Sequence, residues 1–195
     1  MDALTQTLLS QLSGSALSKI GKRVGADEQT AGSALSAIMP VIVGALATNA
    51  AKPDGAAALH HALEEDHDGS ILRDLGDFLE EPEEGEGAGI LEHALGKKRP
   101  AVERGLAEST GLKGEQVGQL LEIAAPLVMG LLGQQQRTQK LDASGLATML
   151  GAEFEADRQS SPDVVSILTT ALDADRDGSA VDEVVGFLGK LFRRR

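Results

Sequence analysis

Two short acidic segments hold the side chains best suited to chemistry. Glu64-x-Asp66-x-Asp68-Gly69 and Asp173-x-Asp175-x-Asp177-Gly178 each place three carboxylates at alternate positions ahead of a glycine. That is the first half of an EF-hand-type calcium loop. Oxygen ligands at positions 1, 3 and 5 converge on a hard cation, and glycine at position 6 permits the sharp turn. The second half is missing, because position 12, where a bidentate Glu belongs, holds Leu75 in one segment and Val184 in the other. Two expectations follow. One is weak calcium binding by Glu64, Asp66, Asp68, Asp173, Asp175 and Asp177. The other is a polar turn that starts a helix, with Ser70 or Ser179 as N-cap and Asp182 completing a capping box. His60, His61 and His67 lie beside the first segment, and a His60–Glu64 pair one helical turn apart suits zinc or nickel. The second segment has Thr169, Thr170 and Arg176 in the corresponding places, so the histidines read as surface residues.

Other chemistries find no foothold. The chain has no cysteine, which removes disulfides, thiolate metal sites and cysteine nucleophiles. There is no G-x-S-x-G elbow, no P-loop and no H-E-x-x-H, so no enzyme is expected. Gly21-x-x-Val24-Gly25-Ala26 and Ala107-x-x-Thr110-Gly111-Leu112 have the spacing of helix-turn-helix corners. The helices that would read DNA begin Glu28-Gln-Thr-Ala and Gly114-Glu-Gln-Val, offering glutamates where base and phosphate contacts call for Arg, Lys or Asn. A DNA-binding role through these helices is the lesser alternative, and the spacing reads as ordinary helix packing.

The elements that position these residues are helices. Of 195 residues, 42% are hydrophobic but only 2% aromatic, so Ala, Leu, Val and Gly must fill the interior. Small side chains allow helix backbones to approach closely, and 23 glycines must punctuate short helices. Gly25 is expected to end one helix in a left-handed cap and Asp27 to cap the next. The segments around Pro40 and Pro126 are apolar nearly all round, so they are placed at the centre facing each other, each kinked or broken at its proline.

Internal similarity supports two copies of one helical unit. Ala62 to Leu79 aligns with residues 171 to 188 at an offset of 109, with 8 of 18 residues identical. Gly25, Gly32, Leu35, Pro40, Gly44 and Leu46 align with Gly111, Gly118, Leu121, Pro126, Gly130 and Leu132 at an offset of 86. Gly55 and Gly145 match at an offset of 90. Most of the growth in offset is assigned to an insertion around Phe154 to Asp163, read as a polar surface loop. The fold class is therefore all-α and multihelical, two diverged repeats packed around central Pro-containing apolar helices. Residues 1–79 form the first repeat, 80–87 an acidic linker and 88–195 the second repeat. The matched glycines are expected to let the central helices approach one another.

Leu8-Leu-Ser-Gln-Leu-Ser-Gly14, Asp66-His-Asp-Gly-Ser-Ile-Leu72, Gly87-Ala-Gly-Ile-Leu-Glu-His93 and Gln116-Val-Gly-Gln-Leu-Leu121 occur in order and resemble the YidB-like family, bacterial proteins assigned to a domain of unknown function. The resemblance covers roughly the first 150 residues well and, through the repeat, extends to the end. It implies a multihelical fold with a homeodomain-like motif, and it implies no activity. The acidic linker and the Arg-rich end are not features of that pattern.

Charge completes the reading. The net charge is −12, and from Glu64 to Glu92 twelve carboxylates face a single basic residue, Arg73. Such a protein is repelled by nucleic acid unless it segregates a basic face. Residues 181 to 192 place Val181, Val184, Val185, Leu188, Leu191 and Phe192 on one side of a helix ahead of Arg193-Arg-Arg195. No secretion signal is expected, because Met1-Asp2-Ala3-Leu4 lacks a positive start followed by an apolar run, and a buried core helix accounts for Gln29 to Ala51 better than a membrane span does. The expected protein is cytoplasmic and non-enzymatic, takes no cofactor unless calcium, and binds a protein partner or itself, with neither nucleic acid nor membrane as partner.

Overall fold

The computed structural model describes residues 3–12, 14–80 and 85–172. Among these there are helices and no strands. They run α1 (Ala3–Gln11), α2 (Ser15–Val24), α3 (Glu28–Ala50), α4 (Pro53–Glu65), α5 (Ser70–Arg73), α6 (Leu75–Glu80) and α7 (Glu86–Leu95). A 3₁₀ turn, Gly96–Lys98, leads to α8 (Arg99–Thr110), α9 (Gly114–Gln139), α10 (Ala143–Ser160) and α11 (Pro162–Leu172). Asp173, Asp175 and Asp177 lie outside the described residues, as does the apolar and Arg-rich segment that follows them.

Local chemistry explains the boundaries. Gly25 (φ +70°) and Gly111 (φ +74°) end α2 and α8 in the left-handed conformation that side chains resist. The Asp27 side chain accepts the Thr30 N–H at 2.9 Å to start α3, and Asp142 accepts the Gly145 N–H at 2.7 Å to start α10. Gln116 serves two helices at once. Its Oε1 accepts the Lys113 N–H at the start of α9, while its Nε2 donates to the carbonyls of Val24 and Gly25 at the end of α2.

The core is centred on α3 and α9, which pack on each other and carry most of the fully buried side chains, among them Leu35, Ile38, Ile42, Leu120, Leu121 and Leu127. Both helices are long and apolar enough to cross a membrane, but their apolar windows are 72% and 83% buried within the protein. Pro40 and Pro126 do not break them. A proline leaves the carbonyl four residues earlier without its helical donor, here Ser36 and Glu122. On α9 that carbonyl is covered by α7, whose Gly87 packs so closely on the Glu122 oxygen that a Cβ there would collide with it.

Three expectations need correction. The stretch from Phe154 to Asp163 is not a loop. It completes α10, crosses the turn at Ser161 and begins α11. Leu146, Leu150 and Phe154 recur every four residues on the buried side, where Asp157 joins them, and Ala152, Ala156, Arg158 and Gln159 stay exposed, so the stretch is an amphipathic helix. The glycines of the central helices do not face each other. Gly44 receives Phe154 and Leu168, whose atoms lie 2.6 Å from an ideal Cβ, Gly130 receives Ile71, Gly118 faces Glu103, and Gly32 faces Leu17. Finally, Glu86 and Gly87, placed in a linker by their composition, already belong to α7, because the close approach to Glu122 fixes the start of that helix.

Candidate functional site: an acidic recess on the α4–α5 turn

The first acidic segment is a turn held from behind. Asp66 ends α4, Gly69 reverses the chain at φ +86°, and α5 begins at Ser70. Asp68 rather than Ser70 performs the capping, because its carboxylate accepts the Ser70 N–H at 2.8 Å. Hydrogen bonds from the Ser70 side chain and then its N–H hold the Asp68 carboxyl below its ordinary 3.8, with the charges of Arg137 and Arg73 assisting. Behind the turn, α9 presents Gly130 and Gly133. A Cβ at Gly133 would fall on the His67 carbonyl oxygen, and one at Gly130 would meet Ile71. Arg137, one turn further along α9, donates to the Glu64 carbonyl at 3.0 Å and so caps the end of α4.

In front of the turn lies a recess of about 330 Å³. Asp66, Asp68, Asp74, Asp77 and Glu86 ring it, and Ile71 and Phe78 supply its apolar surface. His67 closes one side, with Nδ1 3.5 Å from Oε1 of Glu86. Burial pushes the His67 pKa below 6.5 against the opposing pull of Asp66. The pairing joins the α4–α5 turn to the start of α7, so residues from both sides of the acidic segment share one site.

The expected ligand sets are only partly brought together. Asp66 and Asp68 reach the recess, but Glu64 does not line it. Its Oε2 lies 3.4 Å from His60 Nδ1, and His60 Nε2 lies 3.1 Å from the Leu141 carbonyl. His61 is exposed. His60, with its side chain 22% exposed, and His67, at 11%, are packed rather than solvated. Among the described residues no three His, Asp or Glu side chains are placed to hold a metal ion. Position 1 fails because Glu64 still belongs to α4, whose periodicity directs it one turn back toward His60. The sequence reading missed Asp77, Phe78 and Glu86. Asp74 and Asp77 at i, i+3 were a legible hint, whereas Glu86 enters only through tertiary packing.

The family profile described as bacterial protein of unknown function (DUF937) matches residues 6–135, two-thirds of the chain. The chain belongs to this family of bacterial proteins, consistent with its YidB-like motifs. The match ends within α9, ahead of α10 and α11. No curated protein and no solved structure matches the chain.

Proposed function

We propose that this is a non-enzymatic, cytoplasmic interaction protein that associates with a basic segment of a protein partner or of a second copy of itself. The observation that carries the reading is the recess, where five carboxylates surround Ile71 and Phe78 on a turn clamped against α9. Charge segregation gives it an address. Residues 53–92 contain thirteen carboxylates and only Arg73 as a basic residue, a balance equal to the whole chain's −12. A Lys/Arg-rich helix with an apolar side complements such a surface in sign and in polarity. The chain's own end, Val181 to Arg195, has that composition. Light scattering at low and high salt tests the reading, because exposed charge pairs are screened over about 10 Å at 0.1 M salt. Association should weaken with salt, with Asp74→Asn plus Asp77→Asn, and with removal of Arg193–Arg195. A protein that neither self-associates at low salt nor binds a basic amphipathic peptide would overturn it.

A second reading is weak calcium binding, supported by Asp66 and Asp68 flanking the left-handed Gly69 turn. Without a bidentate Glu, affinity should fall near ~10⁻⁴–10⁻³ M. Millimolar calcium should then raise the melting temperature relative to chelator. Asp175→Ala with Asp177→Ala would assign the effect to the second segment, and Asp66→Asn with Asp68→Asn to the first. Identical melts in calcium and chelator would leave the turn as a helix start alone. The spread of the carboxylates around the recess favours the protein partner.

A further inference from the structure

We propose that two copies of this chain exchange α10 and α11 across a hinge at Lys140. The inference gives the self-association reading a physical route and rests on it only in that both end in a dimer.

Among the described residues, Lys140 is the one non-glycine with a positive φ, +53°. It ends α9 in the left-handed conformation, where its N–H and that of Leu141 bond the Gln136 carbonyl. A side chain resists this conformation, and glycine is the usual occupant. Only Lys140, Leu141 and Asp142 separate α9 from α10. Past this corner α10 leaves the helix it is joined to and packs on α3 and α4, while α11 packs on α3 and α8. Phe154 and Leu168 fill the notch at Gly44, and Ile167 fills the one at Gly105. The pair is thus an apolar plug seated on α3, α4 and α8, and a short strained corner tethers it to α9, on which it does not pack. A short hinge under strain is the condition that favours exchange of an identical element between protomers. Opening the corner lets α9 run on into α10 as one helix. Lys140 leaves the left-handed region, and every seat of the plug is refilled by the other copy. Two contacts oppose opening, the Leu141 carbonyl to His60 Nε2 and the Asp142 cap on Gly145.

The absence of cysteine permits a direct test. An ideal Cβ on Gly105 lies 3.4 Å from the Ile167 Cβ, close to the separation of a disulfide. The double variant Gly105→Cys, Ile167→Cys is refolded at high concentration, monomer and dimer fractions are separated by size exclusion, and each is oxidised with diamide. The link should lie within one chain in the monomer fraction and between chains in the dimer fraction, seen as a covalent dimer on a non-reducing denaturing gel. An oxidised dimer fraction that runs entirely as monomer would overturn the proposal. Lys140→Gly should lower the dimer by roughly tenfold per hinge, because glycine accepts the corner and disfavours the continuous helix. Asp142→Ala should raise it. No dimer from either wild type or Asp142→Ala after refolding at high concentration would also overturn it. Exchanged dimers should persist in high salt, whereas association through the acidic recess should not, so failure of one reading leaves the other measurable.

Discussion

The central helices α3 and α9 carry glycine, proline and glycine at the same spacing, yet they are covered differently. On α9, Gly133 admits the His67 backbone of the acidic turn, Gly130 admits the Ile71 side chain that follows it, and the carbonyl freed by Pro126 is sealed by Gly87 of α7. On α3, Gly44 admits the side chains of Phe154 and Leu168, and the Ser36 position before Pro40 lies on a shallow groove with Leu17 and Gly32. A small residue on a buried helix therefore specifies how close a neighbour can come. It does not specify whether that neighbour is a carbonyl, an aliphatic side chain or solvent.

The largest side chain in either notch should have the largest effect. Phe154→Ala removes a ring that is 5% exposed and should cost about 3–5 kcal/mol in a urea melt. A loss below 1 kcal/mol would mean that α10 is not seated on α3 as described. The two seats should then respond unequally to the same added methyl. Gly133→Ala collides with the His67 backbone and should cost about 2–3 kcal/mol, whereas Gly44→Ala meets side chains that can turn aside and should cost about 1 kcal/mol. Equal losses would erase the distinction between a backbone seat and a side-chain seat.

A smaller effect separates the two helices that follow the central pair. Asp142→Ala removes the cap of α10 and should cost about 1 kcal/mol, but α4 begins on Pro53 with no side-chain cap bond, and Pro53→Ala should cost less. The reverse order would place the control of that corner elsewhere. The smallest effect is on acid stability. Hydrogen bonds from Ser70 hold Asp68 below 3.8, and those from Thr30 hold Asp27 below the same value. A depressed carboxylate contributes stability that is full above its unfolded pKa and is lost as pH falls through the folded one. Melting temperature should therefore decline from about pH 4 downward, and Asp68→Asn or Asp27→Asn should flatten that decline. Unchanged acid profiles in both variants would show that neither hydrogen bond persists in solution.

Much of the fold was legible from residue order alone. Helical periodicity, the left-handed Gly25 and Gly111, the Asp27 cap and the burial of the two proline helices follow from local sterics and from which faces are apolar. Such features depend on neighbours within about one helical turn, so the sequence contains their causes. The calcium pattern is local in the same sense, but spacing alone does not bring its carboxylates together. Glu64 obeys the register of α4 rather than the spacing of a loop, and only the register settles where its carboxylate points.

What tertiary structure decided is which distant residues share a surface. Glu86 joins Asp66 and His67 because Gly87 docks α7 on the carbonyl left free by Pro126, and the turn itself is placed by Gly130 and Gly133, more than sixty residues away. Phe154 looked like part of a polar loop until Gly44 supplied the notch that buries it. By itself the sequence determined that the chain is helical, where its helices cap, which faces are apolar and where its negative charge is concentrated. The pairing of notch with occupant was decided by packing, since close approach depends on the shapes of two surfaces and neither surface is written in the segment that carries the other.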